Sequence, residues 1–288
     1  MGTQSDLFFG LATALGYGTG DFLARQAAHR VGHFRVLFYM EAISLCALLP
    51  AALILESSAW HWSLAWGIVA GLGAVNVFAS LFLYRSFEYG VLSVVSPLVS
   101  TYPAVTAGLA ILFLGQYPGP LGSVGIVLAL AGVVLISRSR AHPQSPQPRN
   151  ARVGLISAIL AFAGYGVFYF ALEYVVSDTG PVSAAAIVRV VGVGILLAAR
   201  GMSSAMKTDM PRDLWPTILA IGLLDTFAFV AYNVGIVSGS VAIIGTLSGL
   251  FSAVTVALAT VVLRERLTLP QYAGMGSIFL GVALMAAA

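Results

Sequence analysis

The chain alternates long apolar runs with short breaks that hold its charges, prolines and glycines. Ten such runs can be marked, near 7–24, 34–55, 63–84, 91–114, 119–137, 153–175, 181–199, 214–234, 240–263 and 271–287. A helix needs about 20 mostly apolar residues to cross a hydrocarbon core of roughly 30 Å, and each run approaches that length. Strand-like alternation between turn signals does not extend along the chain, so a barrel is not expected. The predicted class is an all-α integral membrane protein with ten transmembrane helices.

The pattern is written twice. Leu98 to Leu135 set above Leu247 to Leu284, at a constant offset of 149, shares eleven identities in 38 positions, among them Ala104/Ala253, Val105/Val254, Gly125/Gly274 and Gly132/Gly281. An offset of 148 aligns Gly16-Tyr17-Gly18 with Gly164-Tyr165-Gly166 and Phe22 with Phe170. One inserted residue around the third and eighth runs accounts for the change.

The expected organisation is a five-helix repeat at 1–137, a linker at 138–152 and a second five-helix repeat at 153–288. Five is odd, so the second copy enters the membrane inverted. Inverted repeats are a recurrent plan of secondary transporters, whose halves enclose a midplane site. The linker carries Arg138, Arg140, Arg149 and Arg152 with three prolines and no apolar run, and reads as an exposed connector. Small residues four apart are expected to let helices approach closely: Gly16/Gly20, Gly67/Gly71, and Ser96/Ser100 against Gly245/Gly249. Spans four and nine should cross near the pseudo-two-fold axis, with Pro97 and Pro103 bending span four. Trp60, Trp62, Trp66 and Trp215 fall where interfacial anchors belong.

Composition agrees with the pattern: 59% of the 288 residues are hydrophobic and 9% charged, against about 25% charge in a soluble domain. Thirteen of the 14 basic residues fall in odd-numbered loops, and Arg189 lies inside a span. By the positive-inside rule the odd loops are cytoplasmic and both termini periplasmic, in a bacterial inner membrane. The net charge of +3 then reflects topology, and no nucleic-acid partner is expected. A signal peptide is not expected, since no Lys or Arg precedes Leu7. Cys46 is the single cysteine, which excludes an intrachain disulfide.

Chemistry is constrained by what is missing. No GxxxxGK[ST], GxSxG or HExxH motif occurs, and His29, His33, His61 and His142 lie in loops or at span ends. ATP hydrolysis, hydrolytic catalysis, a metal site and a cofactor are therefore not expected. Ionisable residues at membrane depth are the functional pointers, because each costs at least about 2.5–3.5 kcal/mol to insert. Arg189 and Asp225 are the deepest, and Glu41 sits two turns into span two. Two roles stay open for Arg189: an internal brace to Asp225 or Glu41, or attraction of a substrate carboxylate. An alternative role for Asp225 is carriage of a coupling proton.

Asp225, Phe229 and Tyr232 share a helix face, as do Tyr17 with Asp21 and Tyr165 with Tyr169. With Asn76, Ser80, Ser100, Tyr102, Arg189, Ser248 and Phe251 they are expected to line an aromatic cavity dotted with hydroxyl and amide groups.

The stretches YRSFEYGVLSVVSPLVSTYPAVTAGLAILFLGQ (84–116) and VVLRERLTLPQYAGMGSIFLGVALM (261–285), and the opening GYG, resemble the ten-span EamA-like members of the drug/metabolite transporter superfamily. The resemblance covers essentially the whole chain and is greatest to an exporter of aromatic amino acids. It implies two inverted five-helix repeats, a cavity walled by spans one to four and six to nine, and export of amino acids or similar metabolites. The family's acidic residue after span nine falls on Glu265, with Gln116 in the first copy. Its arginine of spans two and seven is kept as Arg189 and replaced by Glu41.

The expected function is export of neutral aromatic amino acids by alternating access, from a monomer in lipid with a small-molecule substrate as its partner. Export of other metabolites or amphipathic drugs is the alternative, and a non-transporting scaffold or receptor is the alternative from another class. A sugar phosphate would need several clustered cations, and Arg189 stands alone.

Overall fold

A computed structural model describes residues 3–57, 63–102, 105, 108, 109, 112, 113, 119–138, 148–202, 210–238, 244, 247–264 and 267–286. Trp60, Trp62, His61, Pro103, Gln116, His142, Gly245, Glu265 and the linker from 139 to 147 lie outside the described residues, as do parts of spans four and nine.

Every regular element described is helical. The first repeat holds α1 (Thr3–Val31), α2 (His33–Leu55), α3 (Leu64–Tyr89), α4 (Leu92–Val99) and α5 (Gly119–Arg138). The second holds α6 (Ala151–Leu172), a single turn at Val176–Thr179, α7 (Pro181–Met202), α8 (Trp215–Ser238), α9 (Phe251–Val262) and α10 (Leu269–Ala286). Among the described residues, five stretches are long and apolar enough to cross a membrane: His33–Leu55, Leu64–Tyr89, Ala151–Leu172, Pro181–Gly201 and Arg212–Ser238. Gly119–Gly132 and Leu247–Val262 are shorter apolar helices.

Local chemistry sets the helix boundaries. Ser63 accepts the Ala65 N–H at the start of α3, and Asn150 accepts the Val153 N–H at the start of α6, each filling an orphan donor of a first turn. Gly32 and Gly180, 148 apart, turn the chain at φ 86° and 83°, backbone angles that glycine adopts without steric cost. The helices that follow receive a carboxylate at their N-termini. Glu88 accepts the His33 N–H at 2.7 Å, and Glu56 accepts those of Val182 at 3.0 Å and Ser183 at 2.7 Å. An anion there is favoured by the helix dipole.

Packing interlocks the repeats, and exchanging one for the other reproduces it. The α1–α8 contact has its counterpart in α6–α3, α1–α9 in α6–α4, and α2–α8 in α7–α3; α2–α7, α4–α9 and α5–α10 map onto themselves. The glycines show the same relation at atomic scale. A Cβ on Gly132 would lie 2.5 Å from Gly274 O, and one on Gly281 would lie 2.5 Å from Gly125 O. A Cβ on Gly16 would meet Ala228 Cβ at 2.9 Å, and one on Gly164 would meet Ala79 Cβ at 2.9 Å.

Other small-residue steps do not have that use. A Cβ on Gly67 or Gly71 would meet nothing within 4 Å, so the close approach expected of them is absent among the described residues. Ser100 turns its hydroxyl onto Pro97 O at 2.8 Å and satisfies itself within its own turn.

Large apolar side chains point outward, including Phe8, Ile54, Leu64, Phe78, Val127, Phe227 and Val261. Polar groups point inward: Glu41, Ser44, Asn76, Ser80, Arg189, Asn233 and Thr255 are buried. That distribution suits a hydrocarbon solvent, where polar groups must be satisfied internally.

Where the linker meets the second repeat, Arg149 Nη1 donates to Glu88 Oε1 at 2.6 Å and Nη2 to His29 O at 2.7 Å, and the Asn150 N–H donates to Tyr89 O at 3.1 Å. His33 Nδ1 and Glu88 Oε2 lie 2.7 Å apart beside them. This cluster ties the start of α6 to the ends of α1 and α3.

Candidate functional site

The helical period collects side chains on faces that converge between the repeats. On α1, Tyr17 and Asp21 are one turn apart, and on α6 Tyr165 and Tyr169 are the same. On α3, Asn76, Ser80, Leu83 and Tyr84 form one stripe, and on α8 Asp225 and Phe229 form another. Met40 of α2, Val99 of α4, Tyr102 beyond it, Arg189 of α7, and Ser248 and Phe251 at the start of α9 complete the wall of one cavity. No described lining residue comes from α5 or α10.

Of the residues expected from sequence, Tyr17, Asp21, Asn76, Ser80, Tyr102, Tyr165, Tyr169, Arg189, Asp225, Phe229, Ser248 and Phe251 line this cavity. Ser100 does not, its hydroxyl being held by Pro97 O. Tyr232 stands behind Tyr169, edge-on at 5.0 Å. Met40, Leu83, Tyr84 and Val99 carry no signal in the sequence that singles them out.

Aromatic surface dominates. Tyr169 stacks on Tyr102 with centroids 4.7 Å apart and lies 6.2 Å from Tyr165. Tyr17 meets Phe251 edge-on at 6.4 Å. Tyr165 Oη and Ser80 Oγ share a hydrogen bond of 2.9 Å across the repeats.

Arg189 is engaged on all sides. Its Nη1 donates to Glu41 Oε1 at 2.7 Å, its Nε to Ser44 Oγ at 3.1 Å, and its Nη2 to Asp225 Oδ2. The guanidinium also lies 5.0 Å from the Phe229 ring centroid, within cation–π range. The Arg189 side chain is 4% exposed and Glu41 fully buried, whereas Asp225 keeps 17%. Of the two roles left open for Arg189, the brace to both Glu41 and Asp225 is the one present. The other Glu41 oxygen, Oε2, has no hydrogen-bond partner among the described residues, and a Cβ on Gly192 would approach it to 2.8 Å.

Residues 4–138 and 152–287 each match the EamA-like transporter family. An uncharacterized protein of Methanocaldococcus jannaschii is 29% identical over 138 residues, which are 46% of this chain and 96% of that protein. That relative is about one repeat long. A crystal structure of a protein 17% identical in sequence superposes with a TM-score of 0.71, covering 98% of this chain and 96% of the other, and shows that the fold is shared.

Proposed function

The chain belongs to the EamA-like transporter family, and from that premise we propose that it is a secondary exporter whose cargo sits among Tyr17, Tyr102, Tyr165 and Tyr169 and is exposed to each side of the bilayer in turn. Family membership makes it a multi-pass membrane transporter of small molecules and not an enzyme. The ten-span count, cytoplasmic odd loops, periplasmic termini and a bacterial inner membrane complete the proposal.

The observation that carries the reading is the cavity itself: an aromatic wall between two repeats, built from helices of both. A cargo with an aromatic body gains about 0.5–1.5 kcal/mol per well-placed ring contact beyond area burial. Neutral aromatic amino acids are the cargo expected from sequence, and the hydroxyls of Ser80 and Ser248 and the amide of Asn76 supply neutral polar groups beside that wall.

The test is flux from proteoliposomes loaded in turn with labelled aromatic amino acids, other amino acids and aromatic amines. Efflux above empty-vesicle controls, abolished by Ser80→Trp, is expected. No flux for any of them would leave a scaffold or receptor as the better reading. A phosphatase or fluorescent-protein fusion at Ala288 tests the orientation, and a cytoplasmic signal there would reverse it.

A further inference from the structure

The charged groups of the cavity are unequal in number and in state. Its single described lining cation, Arg189, commits three of its five N–H donors to Glu41, Ser44 and Asp225, and its one positive charge is already balanced by the two carboxylates. Its carboxylates are not all taken up. Asp21 lines the same cavity at 9% exposure and has no hydrogen bond or ion pair among the described residues. Arg25, one turn further along α1, is not part of the lining.

A carboxylate buried in a cavity without a partner is costly, and ionisable groups inside a membrane transporter mark substrate paths. The surroundings of Asp21 name the ligand. Tyr17, Tyr84 and Tyr165 line the cavity with it, and Asp225 lies on α8, the helix packed against α1. Tyr17 stands one turn before it on α1, edge-on to Phe251. A carboxylate in a cavity lined by aromatic side chains attracts a cation through both kinds of group, by charge and by the ring quadrupoles. Among the described residues, nothing in the wall offers a matching cation for an anionic end.

We propose that Asp21 is the ammonium-binding residue of the cavity, and that the preferred cargo is an aromatic or amphipathic organic amine carrying one positive charge and no carboxylate. The proposal rests on the transport reading and narrows its cargo from the amino acid to the amine. Asn76 and Asp225, at equivalent positions of the two repeats, add polar groups to the lining and no cation.

The experiment compares 2-phenylethylamine, phenylalanine and 3-phenylpropionate, which share a ring and differ in their charged groups, for binding to the purified full-length chain by calorimetry. The amine is expected to bind at least tenfold tighter than phenylalanine, and the propionate not to bind. Asp21→Asn should weaken the amine at least tenfold with an unchanged melting temperature, and Asp21→Glu should recover part of the loss. Equal or tighter binding of phenylalanine, or an Asp21→Asn variant within twofold of the parent, overturns the inference, as does failure of the amine to bind. Amino-acid flux in the vesicle assay alongside any of these leaves the transport reading standing, whereas absence of all flux removes that reading as well.

Discussion

Glu41 and Arg189 occupy equivalent positions of the two repeats, 148 residues apart, and their side chains meet at 2.7 Å. Equivalent residues that touch must lie on the axis relating the copies. In a fully symmetric pair they would carry the same charge and repel. The joined chain places a carboxylate in one copy and a guanidinium in the other, and gains an ion pair at the one point where symmetry forbids it.

Removing Arg189 leaves Glu41 and Asp225 facing each other without a counter-charge, and breaking a buried ion pair by deleting one partner costs about 3–5 kcal/mol. Arg189→Met is expected to lower the melting temperature and folded yield sharply. Because the penalty comes from the orphaned carboxylates, Glu41→Gln with Asp225→Asn in the Arg189→Met background should recover much of the loss. Size-exclusion profiles and melting in detergent check both, and a triple variant no better than Arg189→Met would count against the brace.

The helix contact at Gly132 and Gly281 leaves no room for a methyl group against the facing backbone oxygens of Gly274 and Gly125. Overpacking of this kind costs about 1–3 kcal/mol, so Gly132→Ala and Gly281→Ala should each destabilise, by similar amounts. Gly276 has open space around the same atom, and Gly276→Ala should be neutral or slightly stabilising. Melting curves of the three variants decide it.

Tyr169 touches Tyr102, Tyr165 and Tyr232, which makes it the hub of the aromatic wall. Tyr169→Ala should weaken binding of an aromatic cargo roughly 2- to 12-fold, the equivalent of about 0.5–1.5 kcal/mol for one ring contact. Tyr169→Phe, which keeps the ring, should stay within about threefold. Calorimetry on both variants separates ring stacking from the hydroxyl.

The duplication is legible in the sequence because its glycines are fixed by backbone contact and leave identities at a constant offset, and most of the cavity because polar residues stand out at membrane depth. What escapes the sequence does so for physical reasons. Met40, Leu83 and Val99 are apolar residues among apolar residues, and nothing in a linear pattern tells a cavity wall from a packed core. Ser44 reaches Arg189 only through the fold. Ser100 has the look of a ligand group because a serine facing inward invites that reading, yet its hydroxyl bonds a carbonyl three residues back, a common local alternative. Gly67 and Gly71 have the spacing of a helix contact and no described helix opposite, since spacing offers an approach without supplying a partner.

His29 lies beyond the first predicted span, and its Nε2–H donates to Phe87 O, 3.1 Å away. Burial, with Arg25 and Arg149 nearby, lowers its pKa to about 4 from an ordinary 6.5. A group whose folded pKa is depressed in this way binds its proton more readily when unfolded. Its contribution is neutral above about pH 6.5 and destabilises as pH falls from there toward 4. The parent chain should therefore lose melting temperature over that window. His29→Asn, which holds no titrating group, should show a flatter acid limb, with Glu88 present in both chains. Melting temperatures taken at half-unit steps from pH 7.5 to 4.5 give the comparison, and parallel curves for the two chains would show that His29 is not the group responsible.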